Sequence, residues 1–419
     1  MAQPRRCNNS LFWARMRIGA VAVVAVMAVM ILPAQAQTFT VLHSFTGGGD
    51  GTNPIAGLTM AGAESFYGIT SQGGSGSNGG VIYRLAHAGS GWTLTPLYNF
   101  PGGYYGQYPL ARVVMGPNGT LYSFAEGGYY DLGLVFNLTP PASACAAVIC
   151  DWNNTILHRF QGGSDGGGPP EYGDLIFDQQ GNIYGTTGGT AGFALGTVYE
   201  LTPANGGWTN NVLYEFPASN PGNGVQPEGG VIFDRVGNLY GTTVAGGAYS
   251  GGLVFQLTPS GSGWIETILH NFQGPSDGTF PIGGLIFDQA GNLYGTTSGN
   301  GGTGSVFELS PSQGGWTFTV LHDFVPIRGL SGPYAGVTMD AAGNLYGDTL
   351  GGAYGYGEIF KLTPDGNGSW TYTDLYDFFG AEDGSMPYGK VVVDANGNLF
   401  GTASEGGAHG LGVIWEITP

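Results

Sequence analysis

The sequence is poor in charge, and above all in positive charge. Only 10% of its 419 residues are charged, with 11 Lys and Arg against 29 Asp and Glu. Because an acidic surface repels phosphate backbones and no basic stripe is present, we exclude nucleic acid as a partner. Disorder is also excluded, since 42% hydrophobic and 13% aromatic residues predict a packed core.

Long hydrophobic runs are missing apart from one near the N-terminus. This run, from Ile18 to Leu32, is shorter than the roughly 20 residues that cross a hydrocarbon core. Arginines precede it and small residues follow it up to Ala36, an order typical of a secretory signal peptide. We expect cleavage of residues 1–36, with an uncleaved membrane anchor as the alternative. The mature chain then has a formal charge of −22, from 7 basic and 29 acidic residues, and no membrane segment.

Cysteine is scarce, and Cys7 falls within the signal segment. Cys145 and Cys150 remain, without a histidine beside them. In an exported protein such a pair predicts a local disulfide, whereas a metal site needs more ligands. Zinc-binding HExxH, phosphate-loop, nucleophile-elbow and EF-hand motifs are all absent. We therefore predict no cofactor and no metal, with structural calcium at Asp-Gly loops as the alternative.

One phrase recurs along the chain, most clearly as GLIFDQAGNLYGTT from Gly284 to Thr297. Each period contains four short runs of β-branched and aromatic residues, separated by Gly, Pro, Asn or Asp. Four strands in such a period are typical of a propeller blade. The sequence therefore predicts an all-β fold, a seven-bladed β-propeller over residues 37–419. The blades are centred on aromatic residues spaced 52 to 62 apart: Tyr67, Tyr122, Tyr184, Tyr240, Tyr294, Tyr346 and Phe400.

The two ends of the chain are out of phase with this repeat. TFTVLHSF, from Thr38 to Phe45, has the pattern of a fourth strand without the first three. GVIWEITP, from Gly412 to Pro419, has the pattern of a third strand without a fourth. Together they make one blade of four antiparallel strands. We expect the N-terminal strand to complete the last blade, which removes an unpaired edge at the seam.

Three repeated positions carry structural expectations. An aspartate, as at Asp288, precedes each turn that ends in Gly-Asn, where its carboxylate can accept backbone N–H groups. A glycine follows the central aromatic residue in all copies except one, which has Ser123, and we expect a ring or backbone against it. One slot of the fourth strand holds either histidine or tyrosine, as at His270 and Tyr376. This exchange favours a packing position with a polar tip over a catalytic one.

The candidate binding residues lie in the loops from the fourth strand to the first and from the second to the third. These loops share one face of a propeller, and they are the longer and more variable set. Acids alternate there with tyrosines, which suits hydroxyl-rich ligands. For each residue the alternative is a structural role in the turn or rim. The candidates are Asp50, Asp165, Asp277, Asp383, Tyr105, Tyr129, Tyr130, Tyr249, Tyr354 and Tyr356.

Two functions remain open at this point. The first is a non-catalytic binding module, expected to be a monomer, that recognises carbohydrate or protein at the cell exterior. The second is a polysaccharide hydrolase or lyase on the same face, which needs two acids in distinct environments. Glu126 and Glu405 are the candidate acids for that alternative.

The recurring words FDxxGNLYGTT, VFxLTP and GWTxxVLxxF resemble the GloVer (Gloeo/Verruco) tandem repeat of exported bacterial proteins. The resemblance covers residues 38–419 and is most specific in blades three to six. It implies a bacterial, exported, surface-associated protein, often with an added C-terminal anchor, and it implies no established reaction. Because the sequence stops at Pro419 without such an anchor, we expect a secreted or periplasmic protein.

Overall fold

Seven antiparallel sheets of four strands form a ring, as the sequence predicts. The computed structural model describes residues 37–128, 131–141, 152–168, 170, 172–189, 195–217, 221–261, 263–299, 302–325 and 332–419. The signal segment and four other predicted residues lie outside this part of the chain, so signal cleavage and the disulfide stay predictions. The four are Tyr129, Tyr130, Cys145 and Cys150.

The chain begins with β1 (Thr38–Ser44), which belongs to blade seven. Blade one contains β2 (Thr59–Met60), β3 (Ser65–Thr70), β4 (Val81–Ala88) and β5 (Gly91–Asn99). Blade two contains β6 (Val114–Met115), β7 (Leu121–Ala125), β8 (Leu134–Thr139) and β9 (Asn153–Arg159). Blade three contains β10 (Ile176–Phe177), β11 (Ile183–Thr187), β12 (Thr197–Ala204) and β13 (Gly207–Glu215).

Blade four contains β14 (Val231–Phe233), β15 (Leu239–Thr243), β16 (Leu253–Ser260) and β17 (Gly263–Asn271). Blade five contains β18 (Ile286–Phe287), β19 (Leu293–Thr297), β20 (Gly304–Ser312) and β21 (Gly315–Phe324). Blade six contains β22 (Thr338–Met339), β23 (Leu345–Thr349), β24 (Glu358–Pro364) and β25 (Trp370–Asp377). Blade seven contains β26 (Val392–Val393), β27 (Leu399–Ala403) and β28 (Val413–Thr418), followed in the sheet by β1.

Helical structure in the described residues is limited to single turns of 3-10 helix. Among these residues, no helix has the length and apolar character that a membrane span requires. Residues 39–418 form one compact unit. The other unit consists of residues 1–38 and Pro419, of which only positions 37, 38 and 419 are described. The 3-10 turns are Gly103–Tyr105, Pro117–Gly119, Gly163–Asp165 and Pro221–Asn223.

The N-terminal strand β1 closes the ring, which confirms the prediction from the phase of the repeat. The backbone N–H of Phe45 donates to the carbonyl of Gly412 at 3.0 Å. The Phe39 ring stacks on Tyr376 of blade six, with 3.9 Å between centroids. On the other side, Phe45 is fully buried and contacts Tyr83 of blade one at 5.4 Å. The strand therefore joins blade seven to both of its neighbours.

Aromatic rings of the third strands fill the core where the repeated glycine leaves room. A Cβ at Gly295 would meet the Phe307 ring at 2.5 Å, and one at Gly401 would meet Trp415 at 2.3 Å. In blade two, Ser123 takes this position and donates to the Ala111 carbonyl at 2.8 Å. The expectation of a ring against the glycine is confirmed. The same approach occurs at Gly68, Gly185, Gly241 and Gly347.

The repeated aspartate organises the turn between the first and second strands. In blade five, Asp288 Oδ1 accepts the Asn292 backbone N–H at 2.9 Å, and Oδ2 accepts the Asn292 side-chain amide at 2.8 Å. The Tyr294 hydroxyl also donates to Asp288 Oδ2, at 3.3 Å. These aspartates are turn formers, as the sequence predicts. The Asn-to-Asp bonds recur at Asp178, Asp234, Asp340 and Asp394.

Candidate functional site

The loops that were predicted to share one face contact each other in the structure. In several blades, the fourth-to-first loop pairs with the second-to-third loop through an antiparallel bridge. The bridges therefore fix the two long loops of a blade as one surface, here called the long-loop face. They are Thr52 with Gln72, Gln107 with Glu126, Val225 with Ala245, and Ser385 with Glu405.

A cavity of about 360 Å³ is lined by residues from all seven blades and therefore lies on the ring axis. One repeat position, which we call the axial position, directly precedes the buried apolar residue at the start of each first strand. In four blades this position is glycine. In blades two, three and seven it carries a charged side chain. The axial residues are Gly57, Arg112, Asp174, Gly230, Gly284, Gly336 and Lys390.

Arg112 and Asp174 form a bidentate ion pair between blades two and three. The Arg112 Nε donates to Asp174 Oδ1 at 3.1 Å, and Nη2 donates to Asp174 Oδ2. Its Nη1 also donates to the carbonyl of Leu58 in blade one at 3.3 Å. Burial alone would raise the pKa of Asp174, but the charges of Arg112 and Lys390 lower it. The pair therefore stays ionised, although its side chains keep 23% and 28% of their surface open to the channel.

Lys390 is the third charged axial residue, and it forms no hydrogen bond or ion pair with any residue that the structure describes. Burial and the nearby Arg112 charge lower the pKa of Lys390 to about 8, against the opposing effect of Asp174. The ammonium therefore remains largely protonated at neutral pH. With Arg112 neutralised by Asp174, Lys390 leaves the channel with net positive charge inside an acidic protein.

Three tyrosines lie at the channel entrance on the long-loop face. Tyr172, Tyr334 and Tyr388 each stand two residues before the axial position of their blade. The Tyr172 and Tyr334 rings meet edge to face at 5.9 Å, and the Tyr334 and Tyr388 rings at 5.5 Å. Because blades three and six are not adjacent in the ring, the first contact spans the axis. The tyrosines therefore cover part of the entrance, and Tyr172 and Tyr388 also line the cavity.

Exposed aromatic side chains also lie in the loops of the long-loop face. Of the predicted binding residues, Tyr105 is 59% exposed, Tyr249 58% and Tyr354 46%. Tyr354 packs at 4.6 Å against Phe379 of the next loop, which is itself 55% exposed. Tyr356 differs, because it packs against the core of blade seven and its ring would meet a Cβ at Gly380 within 2.5 Å. The long-loop face thus presents separate aromatic surfaces around a charged channel.

The four predicted loop aspartates bind their own loops. In blade four, Asp277 Oδ2 lies 3.0 Å from His270 Nε2, and Oδ1 accepts the Gln273 backbone N–H at 3.0 Å. Asp383 makes the equivalent contact with the Tyr376 hydroxyl, also at 3.0 Å. These contacts give the aspartates a structural role, while ligand binding by them stays a prediction. The remaining pairs are His43 with Asp50 and His158 with Asp165, each at 3.1 Å.

The sequence model of the Gloeobacter/Verrucomicrobia repeat matches residues 28–171, 149–349 and 298–419. The chain belongs to this repeat family. The resemblance that was drawn from the repeated words is thereby confirmed. A search of the curated proteins finds no match.

Two solved structures resemble this family member. One is a protein of Thermus thermophilus named as an inferred oxidoreductase (glucose dehydrogenase), with 16% identity and a TM-score of 0.44 over 74% of this chain and 96% of that chain. The other is a protein of unknown function from Dyadobacter fermentans, with 11% identity and a TM-score of 0.46 over 91% of this chain and 98% of that chain. At these scores, neither likeness carries an argument about function.

The two acids of the enzymatic alternative occupy equivalent loops of this repeat-family propeller. Glu126 lies in blade two and is half-buried, whereas Glu405 lies in blade seven and is exposed. Each pairs through its backbone with the fourth-to-first loop, namely with Gln107 and Ser385. Blade one stands between them in the ring. Their catalytic role stays a prediction.

A carboxylate cluster that sequence reasoning missed lies on the outer strands of blade six. One oxygen each of Glu358, Asp374 and Asp377 lies within 4.8 Å of the others. Burial raises the pKa of Glu358 to about 7, and burial together with Asp377 raises that of Asp374 to about 6. The Tyr372 hydroxyl donates to Glu358 at 2.8 Å. The cluster is therefore partly protonated near neutral pH.

The charged axial residues were also missed, although the sequence contains a signal for them. Arg112, Asp174 and Lys390 lie far apart along the chain, and none of them belongs to a known catalytic or ligand-binding motif. Aligning the seven repeats reveals that each replaces a glycine of the other blades. The ring geometry then brings these distant positions together on one axis.

Proposed function

We propose that this propeller is an exported, non-catalytic binding module that recognises carbohydrate through its long-loop face. The observation that carries the proposal is the arrangement of aromatic rings on that face. Tyr172, Tyr334 and Tyr388 surround the channel entrance, and exposed Tyr105, Tyr249 and Tyr354 lie farther out. Aromatic faces cover the C–H surfaces of sugars, and tyrosine hydroxyls can bond sugar hydroxyls.

The rigidity of the loops on this face supports a binding function. The loops of blades one, two, four and seven are bridged to each other, and the loop aspartates bind loop backbone. A surface fixed in this way loses little conformational freedom when it binds a ligand. Binding residues on loops held by a rigid scaffold are a common arrangement.

A glycan array probed with the mature protein tests the proposal, followed by calorimetry with the best ligand. We expect Tyr105→Ala, Tyr249→Ala and Tyr354→Ala each to weaken binding by about 1–3 kcal/mol, because each removes an aromatic face that packs against the sugar. Val236→Ala is the matched control, because Val236 is 83% exposed in a turn between first and second strands, on the opposite face. Equal loss in all four variants, or no glycan bound, contradicts the proposal.

The same glycans tested for cleavage separate binding from catalysis. A binding module releases no new reducing ends or unsaturated products from the bound polysaccharide. Product that disappears in Glu126→Gln or Glu405→Gln would instead establish the hydrolase or lyase alternative.

A further inference from the structure

The axial channel has a chemical character that differs from the rest of the protein. The mature chain has 7 basic residues in total, and two of them, Arg112 and Lys390, occupy axial positions. Four other blades place glycine there, so neither the fold nor the close approach of first strands requires a side chain. A Cβ at Gly57 would meet the backbone of Lys390 at 2.6 Å, which shows how closely these strands approach.

The charges in the channel are not equivalent. The Arg112 guanidinium is engaged by the Asp174 carboxylate and by the Leu58 carbonyl. The Lys390 ammonium has no such partner among the described residues. The charges of Arg112 and Asp174 nevertheless lie close enough to shift its pKa. An unneutralised ammonium in a confined space favours a carboxylate ligand, because charge-assisted hydrogen bonds are stronger away from bulk water.

The size and lining of the cavity limit what can enter. Its volume of about 360 Å³ is at the lower end of ligand pockets, which range over roughly 300–1,000 Å³. The tyrosines at the entrance lie above the charged axial residues, and Ile176, Phe233 and Phe287 lie farther along the first strands. A single sugar ring would therefore contact tyrosine faces while its charged group reaches Lys390.

We infer that the axial channel binds the carboxylate of a ligand about the size of one sugar residue, with Lys390 as the anion-binding group. This inference rests on the proposed function and deepens it, since it names an acidic glycan with a terminal hexuronate as the ligand class. The Lys390 ammonium donates to the carboxylate, and the rings of Tyr172 and Tyr388 pack against the sugar. Arg112 and Asp174 hold the channel wall in place and contribute no net charge.

Calorimetry with sodium glucuronate and with glucose tests the charge requirement on the whole mature protein. We expect glucuronate to bind and glucose, its neutral counterpart, to bind at least about tenfold more weakly. Lys390→Met should weaken glucuronate binding by about 10- to 100-fold, whereas Lys390→Arg should retain most of it. Arg235→Met removes one exposed positive charge from the opposite face and should leave the affinity for glucuronate unchanged.

A measurement on the unaltered protein keeps the test valid if Lys390→Met does not fold. Lys361 and Lys390 are the two lysines of the chain, so lysine-selective 13C labelling gives two Cε signals. Glucuronate should shift the Lys390 signal and raise the pKa of Lys390, because a bound carboxylate favours the charged form. The Lys361 signal should stay unchanged, since Lys361 lies over the Tyr346 ring, outside the cavity lining.

An oligosaccharide with a terminal uronate and free glucuronate are compared as ligands. The comparison shows whether the carboxylate comes from a glycan or from a free sugar acid, and it separates the proposed glycan function from the proposed axial site. Binding of an oligosaccharide with a terminal uronate, lost in Lys390→Met, supports both the glycan function and the axial site. Binding of free glucuronate alone, with no glycan bound on the array, keeps the axial site and overturns the glycan function. Neutral glycans that bind through Tyr105, Tyr249 or Tyr354, together with uronates that do not shift Lys390, overturn the axial site alone. Equal affinity for glucose and glucuronate also overturns it.

Discussion

The phenol ring of Tyr83 lies directly against Gly68, where a Cβ would meet the hydroxyl oxygen at 2.3 Å. This hydroxyl is buried, and no residue in the described part of the chain forms a hydrogen bond with it. The Tyr199 hydroxyl is in the same situation in blade three. Blades two, four, five and six have phenylalanine at this position. The two tyrosines therefore bury a polar atom that the fold does not need.

We expect Tyr83→Phe and Tyr199→Phe each to stabilise the propeller, by about 1–3 kcal/mol, because each removes an unsatisfied buried hydroxyl without opening a cavity. Thermal unfolding followed by circular dichroism measures the change. Tyr240→Phe is the matched control. Its hydroxyl bonds Asp234 at 3.1 Å and Gln256 at 2.9 Å, so its removal should lower the melting temperature. A loss of stability in all three variants would contradict the conclusion that the Tyr83 and Tyr199 hydroxyls are buried without a hydrogen-bond partner.

Asp348 is a further buried polar group that the repeat does not require. It is 1% exposed, and both carboxylate oxygens lack a partner among the described residues. Burial raises its pKa well above the ordinary value, so the folded state holds it protonated. Four other blades have threonine here, and Thr296 donates to the Ala335 carbonyl at 2.9 Å. We expect Asp348→Thr to stabilise the protein by about 1–3 kcal/mol.

The gain from Asp348→Thr should grow with pH. An aspartate in the unfolded chain ionises above about pH 4, while the folded protein keeps Asp348 protonated, so rising pH favours the unfolded state. Urea unfolding at pH 4, 6 and 8 measures the dependence. Thr296→Asp in blade five supplies the reverse change and should produce a pH-dependent loss. A gain that does not vary with pH would contradict the protonated state.

The carboxylates of blade six give a separate pH dependence. Burial raises the pKa of Glu358 to about 7, whereas glutamate in an unfolded chain titrates near its ordinary value of 4.5. Its contribution to stability is therefore largest below about pH 4.5 and is lost as pH rises to about 7. We expect Glu358→Gln to reduce the fall in melting temperature across this window. Glu382→Gln, at an exposed position, is the control and should leave the pH profile unchanged.

The closing strand makes a prediction about assembly of the ring. Deleting residues 37–46 removes β1 and the buried Phe45, and exposes an edge of β28 together with apolar surface on blades six, seven and one. We expect a sharp drop in melting temperature and new proteolysis in blade seven. A peptide of residues 37–46 added in excess should restore part of the stability, while the same peptide with Phe45→Ala should not. An unchanged melting curve after deletion would contradict closure by β1.

The sequence predicted the fold because the fold is encoded once per blade. The spacing of Tyr294 and its counterparts counts the blades, and the unmatched strand at Thr38 fixes how the ring closes. Turn and glycine roles were also predictable, since Asp288 and Gly295 act within one blade. These interactions are local, so the order of residues along the chain is sufficient to describe them.

The channel could not be predicted in the same way, because its chemistry depends on contacts between blades. All three charged residues face one axis, and Asp174 pairs with Arg112. Lys390 is therefore left as an unpaired axial charge. Repeat alignment gives the exchange of glycine for charge, but it does not give the direction or partner of each side chain. The loop tyrosines were only partly predictable. Tyr105 and Tyr354 are exposed, as expected of binding residues, whereas Tyr356 packs inward.

Closure by β1 also determines how the propeller responds to mechanical load. Because β1 and β28 are adjacent antiparallel strands of blade seven, both ends of the compact unit belong to one sheet. A force that pulls these ends apart acts first on the hydrogen bonds between β1 and β28, and an antiparallel pair pulled in this direction separates one bond at a time. Blade seven should therefore open at low force while the other six blades keep their sheets. The strand that completes the ring is also the strand at which tension would open it.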